Sequence, residues 1–172
     1  SIDFKRCTPQ EGDSPITPFS FLTPEIKISQ KFCYITHTNK KTHELIHSNI
    51  SKSPLFNGSI KSRGPRYCPS IEDKIKRFED KERHQIFLEP ETRSGEIIYP
   101  NGISTSLPVT LQLRFLRTID GLENVKVTKF GYAVEYDCIN SEEIKPTYET
   151  NKVKGLFLAG QINGTTGYEE AA

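Results

Sequence analysis

No methionine occurs in this chain, its first residue is Ser1, and no apolar run approaches the roughly 18–20 residues that a membrane-spanning helix needs. The missing run excludes a membrane-spanning helix within these residues, and no signal-peptide pattern is legible in them. The last stretch, Gly167-Tyr168-Glu169-Glu170-Ala171-Ala172, reads as the start of a helix, so the chain is expected to be an interior piece of a longer soluble polypeptide, truncated at both ends. Cysteine is sparse: four residues, at positions 7, 33, 68 and 138, are spaced too widely for a zinc knuckle or a C-x-x-C pair and are too few for a secreted disulfide framework. Reduced thiols and a cytoplasmic setting are expected, with no metal site. The glycines nowhere form G-x-G-x-x-G, so a dinucleotide-binding turn, if the parent protein has one, lies elsewhere. No internal repeat is present, and no Ser/His/Asp arrangement is identifiable from order along the chain.

What is present is mixed. With 34% hydrophobic and 26% charged residues among 172, the composition suits an ordinary folded domain, or parts of two. The formal net charge of +1 hides an uneven distribution, since residues 31–66 carry seven Lys or Arg against the single acid Glu44. Such a patch is either a solvated face or an attractor of phosphate, with Tyr34 and Tyr67 beside it as possible base-stacking rings.

The most informative run is Gly64-Pro65-Arg66-Tyr67-Cys68-Pro69-Ser70-Ile71-Glu72-Asp73-Lys74. Ser70 is a good N-cap, Asp73 stands where a capping box needs it, and Ile71, Ile75 and Phe78 recur on one helical face, so a helix is expected from Ile71. Cys68 falls just outside that N-terminus, where unpaired N–H groups, the macrodipole and the charges of Arg63 and Arg66 favour a thiolate. The alternative is a small apolar filler, the usual role of a free cysteine.

Around this run, residues 1–30 read as an extended Pro/Ser/Thr-rich arm. Phe32–Thr36 reads as a strand, and Asn39 or Thr42 caps a short helix reaching Asn49. His84–Leu88 is a strand ending at Pro90, and Glu96–Tyr99 another, stopped by Pro100-Asn101-Gly102. Ser106 caps a helix with Pro108 in its first turn, ended by Gly121. Val125 to Tyr136 suggests two consecutive strands split at Gly131. Gly155–Gly160 reads as a short buried strand running into a glycine-rich loop. The expected class is therefore α/β, with α and β mixed.

Three motifs have both a chemical and a plain reading. The loop Gly160-Gln161-Ile162-Asn163-Gly164-Thr165-Thr166-Gly167 lets backbone approach a phosphate or cofactor, or is simply a strand-to-helix turn. His43-Glu44-Leu45-Ile46-His47 matches H-E-x-x-H, which on a helix sets two imidazoles one turn apart; it lacks the continuation that supplies a third ligand, and reads equally as a chance match on a surface helix. Glu89, Glu91 and Glu96 are either paired carboxylates or a solvated strand end.

Read together, Cys33-Tyr34-Ile35-Thr36-His37-Thr38-Asn39, Gly64 to Lys74, His84-Gln85-Ile86-Phe87-Leu88-Glu89-Pro90-Glu91, Tyr99-Pro100-Asn101-Gly102-Ile103-Ser104-Thr105-Ser106-Leu107-Pro108 and Gly155 to Ala172 closely resemble the MnmG (GidA) family along the whole chain. Where that family usually follows Leu-Glu-Pro-Glu with Gly, this chain has Thr92. The resemblance implies part of an FAD-binding, Rossmann-like flavoprotein, with residues 1–95 an insertion, substrate and NAD-associated region and residues 96–172 the returning part of the FAD domain.

It further implies an enzyme that works with the MnmE-family GTPase on the wobble uridine of tRNA, attaching an aminomethyl or carboxymethylaminomethyl group at C5. The implied cofactors are FAD and NADH, with methylene-tetrahydrofolate as carbon donor, and a homodimer is implied for the full-length protein. Thiolate addition at C6 would make the poorly nucleophilic C5 enolate-like. Cys68 matches one family cysteine, the other lying outside this chain, so the resemblance leaves open which thiol attacks. Gly64 to Lys74 with Ile75, Lys76, Arg77 and Phe78 matches the stretch associated with NAD, and Gln161 a position associated with FAD. Gly160, Asn163, Gly164, Thr165, Thr166 and Gly167 join the expected FAD loop, and Arg63 and Arg66 are expected to contact RNA. Two other readings stand beside this one: a folate- and flavin-dependent tRNA uracil-5-methyltransferase, and a non-catalytic module that binds tRNA or a partner.

Overall fold

Alternating burial along Gln85–Pro90 sets the frame of the molecule: Ile86 and Leu88 are fully buried while Gln85 faces solvent. The structure, a computed structural model, describes residues 1–61 and 69–166. Among these, four strands form an antiparallel meander in the order β1 (Thr8–Gln10), β2 (Cys33–His37), β3 (Gln85–Pro90), β4 (Ile98–Asn101). Thr8 stands opposite Ile35, Tyr34 opposite Leu88 and Glu89 opposite Tyr99. The helices are α1 (Lys40–His47), α2 (Ile71–Arg77) and α3 (Val109–Leu116). Ile46, Ile71, Ile75, Leu111 and Phe115 from these helices join Ile86 and Leu88 in one apolar cluster.

The mixed α and β class is therefore the one expected, and its sheet is antiparallel. The helix starts of α1 and α2 are set locally. Asn39 accepts from the Thr42 amide, and Ser70 and Asp73 exchange side-chain-to-backbone bonds in a full capping box. β4 includes Pro100, opposite Leu88, which an edge strand tolerates because one side of its backbone needs no ladder partner. Strands β3 and β4 pair across residue 95, so one sheet joins the two stretches of chain assigned different roles above.

Several local expectations are corrected. Residues 1–30 are not all arm: Phe4–Arg6 form a 3-10 turn, and Thr8–Gln10 pair with β2. This N-terminal piece is clamped to the turn after α3. The Asp3 amide donates to Gly121 O at 2.8 Å, the Ser1 ammonium to Asn124 O at 2.6 Å, and Arg6 pairs with Asp120 and Glu123. Gly121 has φ +83°, and a Cβ there would meet Cys7 Sγ at 2.8 Å and Asp3 O at 2.9 Å, so glycine is required where the two pieces touch.

Ser106 does not cap α3; Pro108 occupies the N-cap position, and Ser106 is held instead by the remote Glu72. Residues 125–136 are not strands, because no neighbouring ladder reaches them among the described residues. They run past Thr105 and Gln112, pinned at Gly131. The Gly155–Gly160 stretch is not a buried strand: Leu156 and Phe157 are exposed, and a single bridge, Glu149 to Phe157, represents the expected β structure.

Candidate functional site

Of the residues singled out for chemistry, Arg63, Gly64, Pro65, Arg66, Tyr67 and Cys68, with Gly167, lie outside the described residues. The elements on either side of them are well defined. The chain reaches that segment from Lys61, whose amide donates to Glu135 at 3.0 Å, and leaves it through Pro69 into the Ser70 cap of α2.

α2 is gripped along its length by residues 102–106, so two of the motifs noted in the sequence meet in space. The Ile71 amide donates to Ser104 O at 2.7 Å, and Lys74 Nζ donates to Gly102 O at 2.8 Å. Between them the fully buried Glu72 accepts the Ser106 amide on Oε1 at 3.1 Å. The Ser106 hydroxyl lies 2.7 Å from that of Ser53, while Glu72 Oε2 has no hydrogen-bond partner. Ile71 and Ile75 face the core with Glu72, so the exposed side chains of α2 are Lys76 and Arg77, followed by Phe78 at the C-cap. Lys76 Nζ sits 4.9 Å from the centroid of the Phe56 ring.

The three cysteines with described surroundings differ in access. Cys7 is buried against Gly121, and its thiol is pushed up by desolvation first and then by the nearby Asp3 and Glu123 carboxylates, so it stays protonated at neutral pH. Cys33 is half-buried and Cys138 exposed.

The glycine loop begins as a 3-10 turn, Gly160–Asn163. Gly160 and Gly164 have φ of +79° and +78°, and a Cβ at either position would meet nothing within 4 Å. Asn163 Nδ2 donates to Leu158 O at 2.9 Å, while its Oδ1 is buried without a partner. The turn thus offers left-handed backbone with open space beside it and one acceptor awaiting a donor, a set that fits an oxygen-rich, hydroxyl-bearing ligand such as a dinucleotide. Upstream, Glu149 accepts the Gly155 amide at 2.7 Å and Lys145 Nζ at 2.8 Å, and these bonds hold its carboxyl below the usual range.

The H-E-x-x-H motif does lie on a helix, α1, but the two imidazoles face different surroundings. His47 is exposed, whereas His43 turns inward, its Nε2 2.7 Å from the Thr38 hydroxyl and its ring 5.3 Å from that of His84. Among the described residues no group of three or more His, Cys, Asp or Glu side chains could hold a metal ion. Glu89 accepts from Asn101 Nδ2 across β3 and β4 at 3.1 Å, an exposed pairing between neighbouring strands.

The sequence did not mark Ser53, Ser106 and Gln112 as site-building residues, because their partners lie 19 to 53 positions away. Gln112 is buried and bonds Gly131 twice, donating to its O at 2.9 Å and accepting from its N at 2.8 Å. It forms part of the wall of an apolar cavity of about 500 Å³ that also includes Phe115, Val127 and Tyr132. Glu72 carried one usable signal: a carboxylate one residue into the helix, between the core positions Ile71 and Ile75.

A family model described as glucose inhibited division protein A matches residues 1–172. The chain is 57% identical over its full length to the tRNA uridine 5-carboxymethylaminomethyl modification enzyme MnmG of Campylobacter fetus subsp. fetus. It is 56% identical to the enzyme of the same name from Borreliella burgdorferi, and in both cases spans 28% of the relative's length. Among solved structures it is similar to GidA of Aquifex aeolicus in its form I crystal, with a TM-score of 0.79 and 53% identity, covering 99% of this chain and 30% of that one. In the form II crystal of that protein the TM-score is 0.76. No helix among the described residues is long and apolar enough to cross a membrane.

Proposed function

We propose, from the premise that this chain belongs to the glucose inhibited division protein A family, that it is a working part of a tRNA-modifying flavoenzyme acting at C5 of the wobble uridine. The observation that carries the reading is the family match across all 172 residues, with relatives named as tRNA uridine modification enzymes. The glycine turn supports the cofactor assignment. Gly160, Gln161, Asn163, Gly164, Thr165 and Thr166, with Gly167, would hold part of FAD, leaving the unpartnered Asn163 Oδ1 to accept a ligand hydroxyl or amide. When bound, the flavin supplies redox chemistry, with NADH as reductant and methylene-tetrahydrofolate as the source of carbon.

The chain's own contribution is the segment that leads into α2. Cys68 would supply a thiolate that adds to uracil C6 or assists that addition, raising electron density at C5. Arg63 and Arg66 would contact the tRNA backbone. The NAD-associated role is assigned to residues 64–78; in its described part the water-facing Lys76 and Arg77 are the side chains available to a phosphate. Residues 1–95 and 96–172 then have different tasks, substrate and nicotinamide in the first and FAD in the second. The MnmE-family GTPase, a homodimer and a cytoplasmic location complete the proposal for the whole protein.

The test is Cys68→Ser in the full-length protein. Loss of C5 modification with flavin still bound is expected, and unchanged modification would remove Cys68 from the chemistry.

A further inference from the structure

Thr38 stands one residue beyond β2 and just before the Asn39 cap of α1, and its hydroxyl, with the residue 1% exposed, serves three neighbours. It accepts the His84 amide at 2.7 Å, lies 2.7 Å from His43 Nε2, and is 3.5 Å from the His84 carbonyl. That carbonyl already accepts the Thr38 amide at 2.9 Å. A hydroxyl has one proton to give, and the assignment that gives it to the 2.7 Å contact rather than to the 3.5 Å one has Thr38 donating to His43 Nε2. In that assignment His43 is a neutral imidazole with its proton on Nδ1. The His84 ring faces it at 5.3 Å, and His84 Nε2 is buried with no partner, an arrangement that suits a bare lone pair better than an N–H.

We propose that Thr38, His43 and His84 form a proton-operated latch that holds the start of α1 to the end of the β2–β3 ladder while both rings are neutral and loosens it when one is protonated. A proton taken from water by His43 Nε2 turns that atom into a donor. Thr38 must then accept two N–H groups and swing its own proton toward the His84 carbonyl, where the distance is 3.5 Å. A proton on His84 Nε2 finds no acceptor. A charge on either ring also meets like charge: His84 is faced by His43 from α1, by Lys74 from α2 and by Lys81 from the connection before β3. The ring of Phe78, the C-cap residue of α2, lies 6.5 Å from that of His84.

Burial lowers both imidazoles, with His43, Lys74 and Lys81 adding to the effect at His84. A histidine held below its unfolded value of 6.5 stabilises the fold fully above that pH. Its contribution is lost as pH falls below 6.5 toward the lowered folded value, because the unfolded chain then binds more protons. His37 is lowered as well, by desolvation and Arg83, and serves as the internal control.

The experiment is amide hydrogen exchange at residues 38–47 and 84–88 in the full-length protein at about pH 7.5 and about pH 5.5, corrected for the intrinsic pH dependence of exchange. Protection in both segments should fall at the lower pH in the natural chain. It should fall much less in His43→Gln/His84→Gln, which keeps His37. An unchanged natural chain, or an equal loss in the double variant, would overturn the latch. If the double variant does not fold, ring-nitrogen shifts of the natural chain decide: the Nδ1–H tautomer of neutral His43 supports the proposal, and the Nε2–H tautomer overturns it.

Discussion

Glu72 Oε1 accepts the Ser106 amide at 3.1 Å, and this buried bond, beside that of the Ile71 amide to Ser104 O, ties the first turn of α2 to the segment that leads into α3. Because Glu72 is fully buried, truncation leaves a cavity beside an unpaired N–H. Glu72→Ala is expected to lower stability by about 1–3 kcal/mol in urea unfolding, from the cost of an unpaired buried donor. Glu72→Gln keeps an acceptor for Ser106 and should lose less; equal losses would show that packing, rather than the hydrogen bond, makes the connection.

Gln112 and Gly131 act as a pair. Gln112→Ala removes both bonds to Gly131 and the one from Nε2 to Leu107 O at 2.7 Å. Gly131→Ala would push a Cβ to 2.6 Å from Thr105 O, which is backbone and cannot step aside. Each change is expected to destabilise the chain by about 1–3 kcal/mol. The double variant should cost less than the sum of the two singles, since both break the same connection.

Helix starts were legible in the sequence because capping is local: Asn39 with Thr42, and Ser70 with Asp73, lie three residues apart. The apolar and β-branched residues of β2 and β3 were equally plain. Ser106 has the sequence context of a cap, a serine before a proline-marked helix, but the carboxylate that captures it comes from 34 positions upstream. Residues 125–136 have a strand's composition, yet strand structure requires a partner that composition cannot report. The loop Gly160–Thr166 was legible as a turn, but its exposure was not, because Leu156-Phe157-Leu158 reads as a buried run and is largely open to water. The contact between His43 and His84 is not legible in the sequence because 41 residues separate them.

Thiol access should follow burial. With an alkylating reagent at neutral pH, Cys138 is expected to react rapidly in the folded chain and Cys7 only on unfolding, because desolvation keeps the Cys7 thiol protonated. Peptide mass spectrometry of a time course reads both sites at once, and early labelling of Cys7 would show that the contact between the N-terminal piece and Gly121 opens readily.

Arg63→Gln and Arg66→Gln are expected to weaken tRNA binding by the full-length protein. Each should also make the dependence of log affinity on log salt shallower by about one unit per lost phosphate contact. An unchanged salt slope would assign the two arginines a structural role.

The most direct test of the central claim is the flavin absorbance of the full-length protein after mixing with FAD, read beside the variant Gly160→Val/Asn163→Ala. Bound flavin in the natural protein and its loss from a variant that remains folded by circular dichroism is the predicted result. Absence of bound flavin from the natural protein would contradict the flavoenzyme account and favour a module that only binds tRNA or a partner.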